Sequence, residues 1–288
     1  MEITRKAYAK INLGLDVIGK RDDGYHLVRM IMQNVDLYDT LTFADNDTGK
    51  INLKASAETI PVDDSNLICK VAHQLQKEYG VTKGADIFLE KRIPVAAGMA
   101  GGSTDGAVAY LALNELWNLG LDKEQLCKLA VKLGADIPYC IVGGTALSEG
   151  IGEVLTPLKD MPHCYLVIAK PAIAVSTGWV YTELDSREIQ KHPDIDGIRK
   201  ALEGGDIKGM CDLIGNVLED VTTSKYSIIT DIEKILEDNG AIRAFMTGSG
   251  PTVFAVFDSK EEAEKGYEAV KESGLAPELF LSEPINPN

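Results

Sequence analysis

Residues 93–107 read IPVAAGMAGGSTDGA. Glycines, alanines, one Ser and one Thr follow Pro94 and run into a long apolar segment. Small residues bury little area and lose much backbone freedom on ordering. Such a stretch serves close backbone approach more than packing. Two uses fit it. One is a tight loop ahead of a close helix–strand contact. The other is an anion cradle, in which glycines let backbone N–H groups turn inward and the following helix N-terminus adds about half a positive charge. Ser103 and Thr104 would then offer hydroxyls to phosphate or metal, and Asp105 could meet a cation. The P-loop pattern needs Lys after its last glycine, but Ser103 follows Gly102; the dinucleotide pattern needs a different glycine spacing. By spacing alone this is a nonstandard phosphate loop.

Before the loop, ITRKAYAKINLGLDVIG and LVRMIMQNVDLYDTLTFA read as strands around the polar turn KRDDGYH. NLICKVAHQLQKEYG has helical spacing at Leu67, Val71, Leu75 and Tyr79, with Ser65 as N-cap and Gly80 at its end. GADIFLEKRIP is a short strand stopped by Pro94. After the loop, Ser103–Leu119 reads as a helix, and DKEQLCKLAVKLG as a second, capped by Asp122 and stopped at Gly134. ADIPYCIVGGTALSEGIGEVLTPL holds two short strands around glycine turns. A polar, proline-containing break then suggests a domain boundary, dividing 1–160 from 161–288. Beyond it come a strand (DMPHCYLVIAKP), a helix (AVSTGWVYTELDS), and two amphipathic helices (DIKGMCDLIGNVLEDVT and SIITDIEKILEDNG). AIRAFMTGSGPTVFAVF reads as strand, glycine turn, strand; SKEEAEKGYEAVKESG is a helix and APELFLSEP a last strand. The order suits a small α+β sandwich.

A chain of 288 residues with ordinary apolar and charged fractions is read as folded, in one large domain or two. No stretch approaches the roughly 20 apolar residues of a membrane span. The start, MEITRKAYAKINLG, lacks the features of a signal peptide, so a cytoplasmic protein is the simplest reading. Five scattered cysteines and four histidines fall in no disulfide or zinc spacing. The net charge of −15, without any Lys/Arg cluster, speaks against nucleic acid or anionic membrane as partner. It leaves room for a phosphate ligand held by locally converging N–H groups.

PVAAGMAGGSTDGA resembles the ATP loop of the GHMP kinases. RKAYAKINLGLDVIGKRDDGYHLVRMI resembles their N-terminal motif and TGSGPTVFAVF their C-terminal glycine motif, and the three fall in the family's order. AKINLGL, DGYH and LGADIPYC narrow the resemblance to the isoprenoid-precursor branch, whose members act on a cytidyl diphosphate acceptor. The resemblance covers nearly the whole chain. It departs where Ala96, Ala97 and Ala100 stand in place of common glycines and Asp105 in place of a frequent Asn.

The resemblance implies an α+β, two-domain GHMP kinase fold: a ribosomal-protein-S5-domain-2-like N-terminal domain, a ferredoxin-like C-terminal domain, and an active site in the cleft between them. It implies ATP and Mg²⁺, a small-molecule cytidyl diphosphate substrate, and a monomer or weak homodimer. Pro94, Val95, Ala96, Ala97, Gly98, Met99, Ala100, Gly101, Gly102, Ser103 and Thr104 would wrap the ATP phosphates, with Ser103 near Mg²⁺. Gly248, Ser249 and Gly250 would close on ATP; read alone, they make a plain hairpin turn. Asp136, in GADIP, would accept or orient the substrate hydroxyl proton; by composition it is an ordinary turn residue. Lys10 would approach Asp136 and stabilise charge on the γ-phosphoryl; otherwise it would snorkel from its apolar strand to solvent. Asn12, Tyr25, His26, Thr177 and Tyr181 would bind the acceptor, with the two tyrosines clamping cytosine and His26 at its edge. Another GHMP kinase, a related decarboxylase, or a non-catalytic sensor on this fold are the alternatives. DGYH and GADIP argue against the first, and the presence of both Lys10 and Asp136 against the last.

Overall fold

A computed structural model describes residues 1–287. Two long strands open the chain, β1 (Glu2–Lys20) and β2 (His26–Asn46), and β3 (Ile51–Ala55) follows. Then come α1 (Leu67–Tyr79), β4 (Gly84–Glu90), α2 (Gly101–Leu116), α3 (Lys123–Ala130) and α4 (Ile137–Val142). β5 (Thr145–Glu149), β6 (Val154–Pro157) and β7 (Tyr165–Lys170) precede α5 (Thr177–Leu184), α6 (Ile195–Gly204) and α7 (Ile207–Leu213). The chain ends through β8 (Gly215–Asn216), α8 (Glu219–Thr223), α9 (Ile228–Asp238), β9 (Arg243–Met246), β10 (Val253–Phe257), α10 (Lys260–Ser273) and β11 (Glu278–Ser282). It forms two compact units, between which it passes several times.

The first unit comprises Met1–Ala9, Leu37–Val95 and Ala100–Val142. β4 pairs antiparallel with the second half of β2, Leu41 opposite Leu89, and parallel with β3, Leu53 opposite Ile87. α1, α2, α3 and α4 pack with this sheet around a core that includes Phe43, Ile68, Leu75, Leu113, Leu126 and Ile137. α2 is buried over most of its length, which is why its sequence is apolar on nearly every face.

The second unit comprises Lys10–Asp36, Ala96–Met99 and Gly143–Asn288. Its antiparallel sheet runs β11-β7-β10-β9. α9 and α10 pack with its strands. β10 is buried at every position, so VFAVF is a continuous apolar run with no alternation. In the same unit β5 pairs with the first half of β2 and with β6, and β8 pairs in parallel with β1 at Gly14 and Leu15.

Several boundaries differ from the sequence reading. The cap of α1 is Asn66, whose side chain accepts from the Ile68 N–H at 2.9 Å; Ser65 instead donates its hydroxyl to Asp63. Gly80 closes that helix in the left-handed conformation, as read. α2 starts at Gly101, ahead of Ser103, and ends at Leu116, where Asn118 turns to φ +52°. α3 ends at Ala130, before Gly134, and IPYCIV forms the unforeseen α4. DIKGMCDLIGNVLEDVT is two helices divided by β8: Gly215 lies so close to Pro193 that an added Cβ would sit 2.9 Å from its ring. β3 and α6 were not foreseen either.

Candidate active site

β1 places Lys10 and Asn12 two residues apart, hence on one face of the strand. Lys10 is 5% exposed. A buried ammonium needs acceptors, and Lys10 Nζ donates to Asn12 Oδ1 at 2.6 Å and to the Gly98 carbonyl at 2.9 Å. It does not snorkel. Asn12 is held in turn: its N–H donates to Thr247 Oγ1 at 3.0 Å, and that hydroxyl lies 3.3 Å from Asn12 Oδ1.

The two glycine stretches meet here, backbone against backbone. The Lys10 N–H donates to the Met99 carbonyl at 3.2 Å. Gly98 has φ +73°, and a methyl group on it would press on the Thr247 carbonyl. Gly248 has φ +59°, and a Cβ there would sit 2.7 Å from the Gly98 carbonyl oxygen. Only glycine satisfies both the left-handed backbone and that spacing. Ser249 Oγ lies 2.8 Å from Thr177 Oγ1, at the first residue of α5. Lys10, Asn12, Gly98, Gly248, Ser249 and Thr177 are thus linked by direct contacts within the second unit.

His26 opens β2, with Nε2 at 2.7 Å from Asp185 Oδ1. Its ring stacks on Tyr181, centroids 4.7 Å apart. Hydrogen bonds from His26 and Lys20 hold the Asp185 carboxyl below its usual value. Tyr25 is 58% exposed, its ring on the surface beside this stack in sequence.

In the first unit, Asp136 lies in the turn between α3 and α4, and its carbonyl accepts from the Cys140 N–H. Ala100 heads α2 at φ +57° with no side-chain cap bond. The first-turn N–H groups of α2 therefore lack the side-chain acceptor that helices commonly supply. Ser103 is in that turn, partly exposed. Thr104 donates its hydroxyl to the Tyr8 carbonyl at 2.9 Å. Asp105 does meet a cation, the Lys91 ammonium at 2.9 Å. Lys91 also pairs with Asp39, whose other oxygen accepts from the Arg92 and Ile93 N–H groups. One ammonium faces two buried carboxyls. Burial, with the neighbouring Asp39 and against the pull of Lys91, pushes Asp105 up to about 8.

Among the described residues no group of three or more His, Cys, Asp or Glu could hold a metal ion, and no helix is long and apolar enough to cross a membrane. Thr247, Asp185 and Asn216 join these clusters without having been singled out in sequence. Thr247 is the first residue of the quoted motif TGSGPTVFAVF, so its place in that motif was its signal. Asp185 and Asn216 had none, because their partners lie far off in the chain.

Residues 66–144 match the family model for the GHMP kinases N terminal domain, and residues 198–275 that for GHMP kinases C terminal. A 4-diphosphocytidyl-2-C-methyl-D-erythritol kinase of Lachnoclostridium phytofermentans is 49% identical over 280 residues, 97% of this chain and 96% of the relative. One of Enterococcus faecalis is 46% identical over 281 residues, 98% of each chain. A crystal structure of 4-(cytidine 5'-diphospho)-2C-methyl-D-erythritol kinase superposes with a TM-score of 0.83 at 29% identity, over 98% of this chain and 99% of that one. Homoserine kinase from Cytophaga hutchinsonii shares the fold, with a TM-score of 0.78 at 19% identity, over 99% and 95%.

Proposed function

The chain belongs to the 4-diphosphocytidyl-2-C-methyl-D-erythritol kinase family of the GHMP kinases, and from that membership we infer its reaction. It transfers the γ-phosphoryl group of ATP to the 2-hydroxyl of 4-diphosphocytidyl-2-C-methyl-D-erythritol. The products are the 2-phosphate and ADP, in the non-mevalonate route to isoprenoid precursors. A cytoplasmic setting suits that role.

The observation that carries the phosphate site is the N-terminus of α2, which follows a glycine loop and has no side-chain cap. Its first-turn N–H groups suit a phosphate, with the helix dipole aligned. We assign residues 94–104 and the Gly248–Ser249 turn to the ATP phosphates. Mg²⁺, when bound, neutralises charge on the transferring phosphates. With no carboxylate cage among the described residues, its ligands would be the phosphates themselves with the Ser103 hydroxyl, the sparse protein ligation this ion tolerates. The Thr104 hydroxyl, already donating to Tyr8, can offer an anion no proton unless that bond breaks.

Phosphoryl transfer asks chiefly for positioning and charge stabilisation. Asp136 accepts or orients the acceptor's hydroxyl proton, and Lys10, preset by Asn12 and Gly98, stabilises charge on the γ-phosphoryl. Asn12, Tyr25, His26, Thr177 and Tyr181 bind the acceptor, with the Tyr181 face stacking on the base. The functional domains divide near residue 160.

An assay of ADP release with ATP and Mg²⁺ tests this. The acceptors are 4-diphosphocytidyl-2-C-methyl-D-erythritol, mevalonate, homoserine and galactose, each with the wild type and with Asp136→Ala. Turnover of the cytidyl acceptor alone, lost in the variant, is expected. Turnover of another acceptor in its place, or full activity of the variant, overturns the reading of substrate or of base respectively.

A further inference from the structure

The glycine turn 247–250 is gripped by a segment to which the chemistry above gives no part. Between Asn216 and Thr222 the chain leaves β8 and enters α8, and three side chains spaced three apart reach the turn. Asn216 is buried. Its Nδ2 donates to the Met246 carbonyl at 3.0 Å and to the Gly248 carbonyl at 2.8 Å, while Oδ1 accepts from the Leu218 N–H at 3.0 Å. Glu219 Oε2 accepts from the Met246 N–H at 2.9 Å. Thr222 is fully buried, and its hydroxyl lies 3.1 Å from the Leu218 carbonyl and 3.3 Å from the Ser249 carbonyl. The backbone of Asn216 is in register with Leu15 of β1, three residues beyond Asn12. One short segment therefore touches both the strand that carries Lys10 and the turn that carries Gly248 and Ser249.

The contacts matter because a peptide unit is planar and trans. Fixing its carbonyl on one side points the next N–H to the other. With the Gly248 carbonyl held by Asn216, the Ser249 N–H faces away from Asn216. Gly248 and Gly250 both have positive φ, at +59° and +80°, and glycine by itself enforces no single conformation. The turn's own bond from the Gly250 N–H to the Thr247 carbonyl, at 3.0 Å, and the side chains outside it together select one.

We propose that Asn216, Glu219 and Thr222 are positioning residues for phosphoryl transfer, orienting the peptide planes of residues 246–249 so that the Ser249 N–H meets the ATP phosphates. This rests on the assignment of that turn to ATP. Burial, with Glu233 beside it, pushes the Glu219 carboxyl up to about 9. The acceptor for the Met246 N–H is thus a neutral group near pH 7, which an amide can replace.

The test is steady-state kinetics on the full chain, varying ATP and the cytidyl acceptor separately, with thermal melts of each variant. Thr222→Val keeps the shape and removes the hydroxyl; Asn216→Asp keeps the size and removes both donors. Each should lower kcat/KM for ATP by roughly 10- to 100-fold, the scale of a small misplacement. KM for the acceptor should stay within about twofold, a split that a general loss of folding would not produce. Thr222→Ser and Glu219→Gln should retain wild-type kinetics. Gly248→Ala tests the turn's own assignment: unchanged use of ATP in that variant overturns the ATP reading. Impaired Gly248→Ala beside a folded, fully active Thr222→Val overturns the positioning role alone. Should Asn216→Asp not fold, Thr222→Val with its Ser rescue decides the matter.

Discussion

Asp105 shows what one oxygen atom changes. It holds the Lys91 ammonium together with Asp39, inside the first unit, and one of its own oxygens is buried without a hydrogen-bond partner. The charged groups that reach it are Lys91 and Asp39; α1 and α4 meet the adjoining turn of α2 with Leu67, Val71 and Ile137. A single ammonium leaves one carboxyl's charge uncompensated in a low-dielectric site. Asp105 accordingly titrates near 8 in the folded chain, against about 4 when unfolded. The folded state binds the extra proton, so its stability falls as pH rises from about 4 through about 8. Asp105→Asn should remove that slope. Urea unfolding at pH 5, 7 and 9 should find the variant gaining on the wild type with each step; parallel curves would show that Asp105 is ionised throughout.

At the scale of elements, the two glycine stretches work as a pair. A Cβ on Gly98 would meet the Thr247 carbonyl and one on Gly248 the Gly98 carbonyl, and neither contact can be read from its own hairpin or loop. The alanines divide differently. Ala96 and Ala100 stand at φ +52° and +57°, where a methyl group is strained, and Ala97 has no such φ. Holding an L-residue there costs about 1–2 kcal/mol, whereas glycine in its place loses about 0.5–1 kcal/mol in chain entropy. Ala100→Gly should therefore stabilise the chain by up to about 1 kcal/mol, read as a rise in the urea midpoint at constant slope. A fall in the midpoint would mean that the Ala100 methyl packs more usefully than its backbone strain costs.

For the whole molecule, the assignment of two ligands makes a thermodynamic statement. A ligand that binds only the folded chain at 100 times its Kd adds about 2.7 kcal/mol of stability. A non-hydrolysable ATP analogue and cytidine diphosphate, each alone, should raise the melting temperature by several degrees. A null result for cytidine diphosphate with a clear shift for the ATP analogue would remove the cytosine assignment of His26 and Tyr181 and leave the kinase.

Most strands and most helices were legible in the sequence because their causes are local. Alternation marks β1, apolar spacing and Gly80 mark α1, and the Asp122 cap marks the start of α3. The motifs that place the chain among the GHMP kinases are likewise contiguous. Other features depend on residues distant in the chain. The helical pattern is interrupted at Gly215 where β1 offers β8 a partner, and Pro193 stands so close to Gly215 that a Cβ there would not fit. The burial of Lys10, the Asp39–Lys91–Asp105 cluster, the His26–Tyr181 stack and the grip of Asn216 on the Gly248 turn all join positions far apart in sequence. Hydrophobic periodicity and capping act over one or two turns of chain, so the sequence by itself determined most of the elements and the family. Desolvation and hydrogen-bond geometry act through space, so only the tertiary structure decided which polar groups are buried, which carboxyl keeps its proton, and which backbone groups the glycines bring together.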